Sequence, residues 1–315
     1  MKSLRASLLA FFFSPASDLW LALLRIGTGL ELLLYCASLR GDWSHLFASN
    51  GEGLISRDLT EAVVSAEGGL IPTVSWLARG GAALGLTDAV TVTAVWFVLV
   101  SASIFLVLGI FSRTSAVVAW LFHLCAVKSI GLMAYGVDNF TTTALFYLML
   151  APLPDAYSLD QRWRKFPAKA AYWNGFGRRV LQLHVCVIYF FSGLTKMLGA
   201  GWWDGSNLWR AMTRAPFNHV PPGWIASVSC LLPAAGILIA VIETTYPVFM
   251  GWKRTRLVWL CLVLAMHAGI ALTMGLYLFA FIMAVLNLAA FGSDLPSLRR
   301  ANPHSGFATV AARVT

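Results

Sequence analysis

Long apolar runs separated by short polar segments make up most of this chain. Crossing a bilayer takes about 20 apolar residues in a helix, and runs of roughly that length recur along the sequence. We predict eight membrane-spanning helices, at residues 18–39, 89–111, 114–134, 138–153, 178–199, 224–250, 256–274 and 275–292. The fourth of these runs is short, and the last two adjoin.

The expected fold is therefore all-α, a polytopic bundle embedded in the membrane. Residues 1–295 are predicted to form one transmembrane domain, followed by a short cytoplasmic tail at 296–315. A short apolar segment at residues 8–13, just after the first basic residues, is predicted to be an interfacial helix that stays on the protein.

Composition supports this interpretation. Of the 315 residues, 58% are hydrophobic and 12% are charged, whereas about 25% charged residues are typical of a soluble domain. The net charge is +9, but the basic residues lie in short clusters between apolar runs, which is typical of membrane topology signals rather than of a nucleic-acid surface. We expect membrane lipid as the surrounding partner and no nucleic acid.

The basic residues also orient the spans. Of the 23 lysines and arginines, fifteen fall on the side of the N-terminus, seven fall on the other side or in that half of the membrane, and Arg25 lies within the first span. Positive charge favours the cytoplasmic side. We therefore expect both termini in the cytoplasm, a bacterial inner membrane as the location, and residues 40–88 as an outer loop whose amphipathic segments form a lid.

Ionisable residues inside spans are costly and mark function by default. Arg25 and Glu243 have opposite charges at similar predicted depth, so we predict an interhelical ion pair between them, which would either tie the helices together or belong to a proton or ion pathway. Lys196 closes the fifth span on one helical stripe with Ser192 and Tyr189. Snorkelling to the headgroups is the structural alternative for this lysine, and a structural core histidine is the alternative for His267.

Other kinds of site find no support in the sequence. It contains no Ser-His-Asp set, no Gly-rich phosphate loop and no HExxH motif. The five cysteines are scattered without a CxxC pair, which favours buried thiols over a metal or redox centre. We therefore expect no metal site.

One segment resembles a known family. The run from Tyr189 to Lys196 (YFFSGLTK), followed by Trp203-Asp204-Gly205, resembles the hallmark of the HTTM family, the horizontally transferred transmembrane domain that is related to the membrane part of vitamin K-dependent gamma-glutamyl carboxylase. Looser matches in the same order extend over residues 10–292. They are Ser14-Pro15, Leu24-Arg25-Ile26-Gly27, His45 with Gly53-Leu54, Asp138-Asn139, Gln182, Glu243 with Pro247, and His267 before Gly269.

The resemblance implies a carboxylase-like membrane enzyme. Lys196 falls where the carboxylase keeps the base that deprotonates reduced vitamin K, with His267 and Asn139 as the neighbouring catalytic residues. Tyr189, Ser192 and Trp203 are the implied cofactor-binding residues. The implied cofactor is reduced vitamin K or another quinol, with CO2 and O2 as co-substrates and a peptide or small molecule at the outer face as the substrate.

Two departures from the carboxylase keep alternatives open. The carboxylase has a histidine near Asp138 or Asn139, where this chain has none, and it continues into a large lumenal domain that has no counterpart in the printed sequence. A membrane factor that matures an exported peptide without carboxylating it is one alternative. A quinone-associated membrane subunit is the other.

The predicted topology can be tested with single cysteines. Ser65→Cys, placed in the outer loop of a chain without other cysteines, should react with a membrane-impermeant thiol reagent in intact cells. Lys253→Cys, on the predicted cytoplasmic side, is the matched control and should react only after lysis. The opposite pattern would reverse the orientation.

Overall fold

The computed structural model describes residues 2–49, 56–67, 71–131, 133–164 and 171–294. Within these ranges the regular structure is helical and no strand occurs. The helices are α1 Lys2–Phe12, α2 Leu19–Ser38, α3 Trp43–Phe47, α4 Arg57–Glu67, α5 Val74–Ala83, α6 Asp88–Leu108, α7 Ser112–Ser129, α8 Gly136–Leu150, α9 Leu159–Arg164, α10 Ala171–Leu198, α11 Ala200–Trp203, α12 Ser206–Thr213, α13 Pro222–Ser227, α14 Leu232–Gly251, α15 Arg256–Met274 and α16 Tyr277–Phe291. The predicted tail at 296–315 lies outside the described residues.

Each predicted span coincides with a helix, so the all-α prediction is confirmed. Five helices in the described ranges are long and apolar enough to cross a membrane: α2, α6, α10, α14 with the turn before it, and α15. The helices at the other three predicted spans are shorter, with 18 residues in α7 and 15 each in α8 and α16. A helical bundle with several candidate spans is therefore established, and the count of eight stays a prediction.

The described residues fall into two compact units. Helical unit I contains those from Leu21 to Arg164, and helical unit II combines those up to Trp20 with those from Ala171 onward. The single domain predicted over 1–295 remains a prediction.

Helical unit I has α6, α7 and α8 packed side by side. The Thr87 hydroxyl caps α6 by accepting a hydrogen bond from the Val90 N–H. Asp160 caps α7, because its carboxylate accepts hydrogen bonds from the N–H groups of Phe111 and Ser112 at 3.0 and 2.7 Å. These polar contacts satisfy groups at helix ends that would otherwise be left without partners.

Arg25 of α2 is fully buried in unit I and has its own counter-charge. Its Nε and Nη2 donate to the two carboxylate oxygens of Asp155 at 2.6 and 3.2 Å. Its Nη1 donates to the carbonyls of Leu106 and Val107 at the end of α6. The guanidinium is thus held by a bidentate pair and by carbonyls at the negative end of a helix dipole.

The predicted outer loop folds into three short helices. Part of the loop, including residues 50–55 and 68–70, lies outside the described residues. Arg57 of α4 pairs with Asp88 at the start of α6, and Arg79 of α5 pairs with Glu61 of α4. A cleft of about 390 Å³ lies between α4 and α5 and is lined by these charged groups. Helices in this loop were expected, and their role as a lid remains a prediction.

Helical unit II is organised around α10 and α14, which pack closely along their lengths. Gly193 of α10 allows this close approach, since a Cβ at that position would clash with the backbone of Thr244 in α14. A polar residue lies directly before each of the two contacting residues. Ser192 precedes Gly193 in α10, and Glu243 precedes Thr244 in α14. The glycine therefore brings the polar positions of the two helices together.

This contact predicts a packing penalty for Gly193→Ala. A methyl group there must push α10 from α14, at a cost of about 1–3 kcal/mol, so the thermal midpoint in detergent should fall. Gly269→Ala is the matched control, because Gly269 lies inside α15 with open space around its Cα. Equal midpoints for the two variants would contradict the close approach.

Candidate proton-transfer site

A lysine and a glutamate meet where α10 and α14 are closest. Lys196 Nζ lies 2.6 Å from Glu243 Oε2 and donates to Ser192 Oγ at 2.7 Å. The Lys196 side chain is 17% exposed and that of Glu243 is 8% exposed. Ser192 is one helical turn before Lys196, which confirms the predicted polar stripe at these two positions.

The predicted ion pair between Arg25 and Glu243 is therefore wrong. Arg25 is compensated by Asp155, and Glu243 is compensated by Lys196. Matched depth and opposite sign were not enough to identify partners, because they do not specify which way each side chain faces around its helix. Asp155 lies in a connecting segment after α8. It is outside the predicted spans, so it was not a candidate partner for Arg25.

A tryptophan ring completes the immediate surroundings of the lysine. Lys196 Nζ lies 5.1 Å from the ring centroid of Trp202, a cation–π distance. Gly236 of α14 allows this placement, since a Cβ there would clash with the Trp202 carbonyl. Trp203, which was predicted to bind the cofactor, is exposed and donates its indole N–H to the Met197 carbonyl at 2.8 Å.

The motif after these tryptophans forms a fixed turn. The Asp204 carboxylate accepts a hydrogen bond from the Ser206 N–H at 2.8 Å. That bond lowers the pKa of the exposed Asp204 carboxyl below its ordinary value. The turn holds α11, and with it Trp202, in place before α12 begins.

A second polar group in unit II is a chain of four buried side chains. Asn287 Nδ2 donates to the Met283 carbonyl at 2.8 Å, which fixes the orientation of the amide because a carbonyl can only accept. The same nitrogen donates to the Tyr189 hydroxyl at 2.8 Å, and Asn287 Oδ1 accepts from the Tyr246 hydroxyl at 2.7 Å. The Tyr189 and Tyr246 rings stack at 4.2 Å.

The hydrogen bonds among these four side chains indicate which nitrogen of His267 carries the proton. The Tyr189 hydroxyl lies 2.6 Å from His267 Nε2. Tyr189 accepts from Asn287, so donating its own proton to Nε2 gives both groups of the pair a hydrogen bond, and the neutral imidazole in that arrangement carries its proton on Nδ1. His267 Nδ1 is buried and has no partner among the described residues. In that arrangement Nδ1 is a buried N–H donor whose acceptor is not found in the described part of the chain.

Lys196 and His267 interact electrostatically, so the lysine pair and the buried chain belong to one neighbourhood. Glu243 interacts in the same way with Tyr189. The arrangement combines a group that can exchange a proton with a donor that can stabilise a developing negative charge. Tyr189 is 2% exposed, so it supports His267 from within the bundle rather than facing an open surface.

Not all predicted site residues lie in this neighbourhood. Lys196, Ser192, Tyr189 and His267 all belong to unit II, where the contacts above place them together. Asn139 is exposed near the start of α8 in unit I, and its predicted catalytic role stays a prediction.

Three residues of the site were not predicted from the sequence, although each had a detectable signal. Asn287 is an amide within the otherwise apolar run of α16. Tyr246 lies one turn after Glu243, before Pro247, which cannot donate to the Glu243 carbonyl. Trp202 directly precedes Trp203, the tryptophan that was predicted to bind the cofactor.

Comparison with protein-family models, with characterised proteins and with solved structures finds no match to this chain.

The Lys196–Glu243 contact predicts a stability cost for Glu243→Gln. The amide leaves Lys196 without a counter-charge, at a cost of about 3 kcal/mol, the lower end of the range for breaking a buried pair because the lysine is partly exposed. The thermal midpoint in detergent should fall accordingly. Lys196→Met with Glu243→Met should recover part of the loss, since neither charge remains.

The control is Glu61→Gln, which breaks the exposed pair with Arg79 and should cost less than about 1 kcal/mol. A loss in the double methionine variant equal to the sum of the losses in Lys196→Met and Glu243→Met would show that Lys196 and Glu243 do not interact.

Proposed function

We propose that this chain is a multi-pass membrane enzyme in which Lys196, paired with Glu243, takes up a proton from a weakly acidic hydroxyl of a lipid-soluble substrate. The observation that carries the proposal is the 2.6 Å contact between Lys196 Nζ and Glu243 Oε2 at the edge of a largely apolar bundle. A single proton can reside on either partner of such a pair. Lys196 can then act as a base when the proton is on Glu243.

The residues present fit a reduced quinone, the cofactor implied by the resemblance to HTTM proteins. A quinol has a flat ring and hydroxyl groups that become anionic on losing a proton. Trp202 offers an aromatic face beside Lys196, and His267 Nδ1–H is a buried donor without an acceptor. Lys196, Ser192, Trp202 and His267 would hold the group, and Trp203 remains a proposed contributor at the exposed side.

The chemistry of the chain's own residues follows from these contacts. Lys196 Nζ accepts the proton of the substrate hydroxyl while Glu243 keeps its own, so the new ammonium is balanced by the substrate oxygen that has become anionic. His267 Nδ1–H stabilises the oxygen that has lost the proton, and Tyr189 and Asn287 keep the imidazole in the required tautomer. A bound quinol would supply the reducing power that, with O2, generates the stronger base needed for carboxylation.

The complete proposal is a carboxylase-like enzyme that uses reduced vitamin K or another quinol, CO2 and O2, and that modifies a peptide or small molecule at the outer face of a bacterial inner membrane. Its eight spans and cytoplasmic termini belong to the same proposal. Five apolar helices support membrane insertion, and the lysine site supports proton-transfer chemistry.

The proposal is tested by Lys196→Arg and Lys196→Ala in lipid nanodiscs supplied with reduced vitamin K, O2, labelled bicarbonate and a glutamate-rich peptide. The wild type should incorporate label, detected as added CO2 by mass spectrometry. Both variants should lose incorporation, because arginine stays protonated and cannot accept a proton. Lys196→Arg should nevertheless keep the thermal midpoint, since it preserves the positive charge beside Glu243.

Lys253→Arg is the matched control, because this lysine is exposed in the turn between α14 and α15, and it should keep full incorporation. Full incorporation by Lys196→Arg would show that the lysine is structural. No incorporation by the wild type would overturn the carboxylase chemistry and favour a maturation factor or a quinone-associated subunit.

A further inference from the structure

Helical unit I contains a buried acid that the proposed function does not use. Glu31 lies near the middle of α2, one of the helices long enough to cross a membrane. It is fully buried, and neither of its carboxylate oxygens makes a hydrogen bond of normal geometry to any of the described residues. An isolated carboxylate in such surroundings is very costly, so the site must compensate for its charge.

The groups around Glu31 are oxygen atoms from two helices. The Thr141 hydroxyl of α8 faces the Glu31 carboxyl, and the Tyr35 hydroxyl of α2 faces the Asp138 carboxyl, although neither contact reaches hydrogen-bond geometry. The carboxyls of Glu31 and Asp138 interact electrostatically. Thr141, Tyr35 and Asp138 are each at least nine-tenths buried, and each has an oxygen without a partner.

The two acids differ in how well the protein stabilises their charge. Asp138 lies in the first turn of α8, where its Oδ2 accepts a hydrogen bond from the Tyr135 N–H at 2.8 Å. A helix N-terminus favours a negative charge in this position. Glu31 is in the middle of its helix and has no comparable donor. The cluster therefore contains one negative charge that the protein does not compensate, and that charge is on Glu31.

The neighbouring titratable groups do not supply a fixed positive charge. The His123 ring of α7 packs edge-on against Tyr35 at 5.4 Å. Thr142 Oγ1 donates to the Asp138 carbonyl, so it accepts the proton of His123 Nδ1. Nε2 is buried without a partner among the described residues, which favours the neutral ring because a buried charge without a partner is costly. The titratable groups that surround or interact with Glu31 in unit I are Tyr35, Cys36, His123, Tyr135 and Asp138.

We propose that Glu31 and Asp138 form a binding site for one monovalent cation, a proton or a sodium ion, held by carboxyl and hydroxyl oxygens. One positive charge balances Glu31, while Asp138 stays compensated by the start of α8. The oxygens without partners on Glu31, Asp138, Tyr35 and Thr141 supply the hard ligands that such a cation prefers. The site gives the protein a cation-binding step separate from the Lys196 chemistry.

Sodium binding is tested on the full chain in detergent by measuring the thermal midpoint in sodium chloride and in choline chloride at equal ionic strength. If sodium occupies the site, the midpoint rises with sodium concentration and saturates. Glu31→Gln should abolish the rise. Thr141→Val, which removes only the facing hydroxyl, should shift the sodium dependence to several-fold higher concentration. Glu61→Gln, at a surface carboxylate, should leave it unchanged.

Proton binding is tested by infrared spectroscopy of the same protein at neutral pH without sodium. A protonated buried carboxyl gives a carbonyl band that shifts when H2O is replaced by D2O. The band should disappear in Glu31→Gln, persist in Asp138→Asn and Glu61→Gln, and change frequency in Thr141→Val. The wild-type spectrum and the Thr141→Val spectrum decide the question even if Glu31→Gln fails to fold.

At least one of the two results should be found. Sodium-dependent stabilisation identifies the cation as sodium, and a protonated carboxyl band without such stabilisation identifies it as a proton. A wild-type protein that shows neither sodium-dependent stabilisation nor a protonated carboxyl band would overturn the proposal. A protonated band that persists in Glu31→Gln and is lost in Asp138→Asn would also overturn it, because the charge would then reside on the wrong acid.

Discussion

The structure depends on one constraint: a charge placed among apolar helices must meet its counter-charge inside the protein. Lys196 and Glu243 meet this constraint across α10 and α14, and Arg25 and Asp155 meet it within unit I. Removing either partner of such a pair strands a charge where water cannot solvate it. These pairs therefore determine which helix faces are held against each other, beyond what non-directional apolar packing can specify.

The same constraint explains why the candidate chemistry is concentrated in unit II. The backbone contact at Gly193 brings α10 and α14 close enough for Lys196 Nζ to lie 2.6 Å from Glu243 Oε2. Around them, Tyr246, Asn287 and Tyr189 satisfy one another and fix the tautomer of His267. A connected polar network of this kind orients a buried side chain within a low-dielectric interior.

The sequence predicted local features well, because these depend on spacing along one helix. The apolar runs identified the long helices, and the one-turn spacing predicted the contact between Ser192 and Lys196. Partner choice between helices was not predictable in the same way. Matched depth and opposite charge predicted Arg25 as the partner of Glu243, whereas rotation about each helix axis and the close approach at Gly193 select Lys196.

The placement of neighbouring side chains was not predictable for a similar reason. The path of the backbone through α11 and past Gly236 brings the ring of Trp202 over the lysine, while the binding role of Trp203 stays a prediction. Asn287 was missed because a single amide in an apolar run shows its role only when its hydrogen-bond partners on other helices are known.

The central claim is that Lys196 and Glu243 share an exchangeable proton, and nitrogen-15 NMR of the Lys196 side chain tests it most directly. Lysine-labelled protein in nanodiscs allows the Nζ resonance to be assigned by its loss in Lys196→Arg. The account predicts a position between neutral amine and ammonium that moves toward ammonium when reduced vitamin K is added. A resonance fixed at the ammonium position, with and without reduced vitamin K, would contradict it.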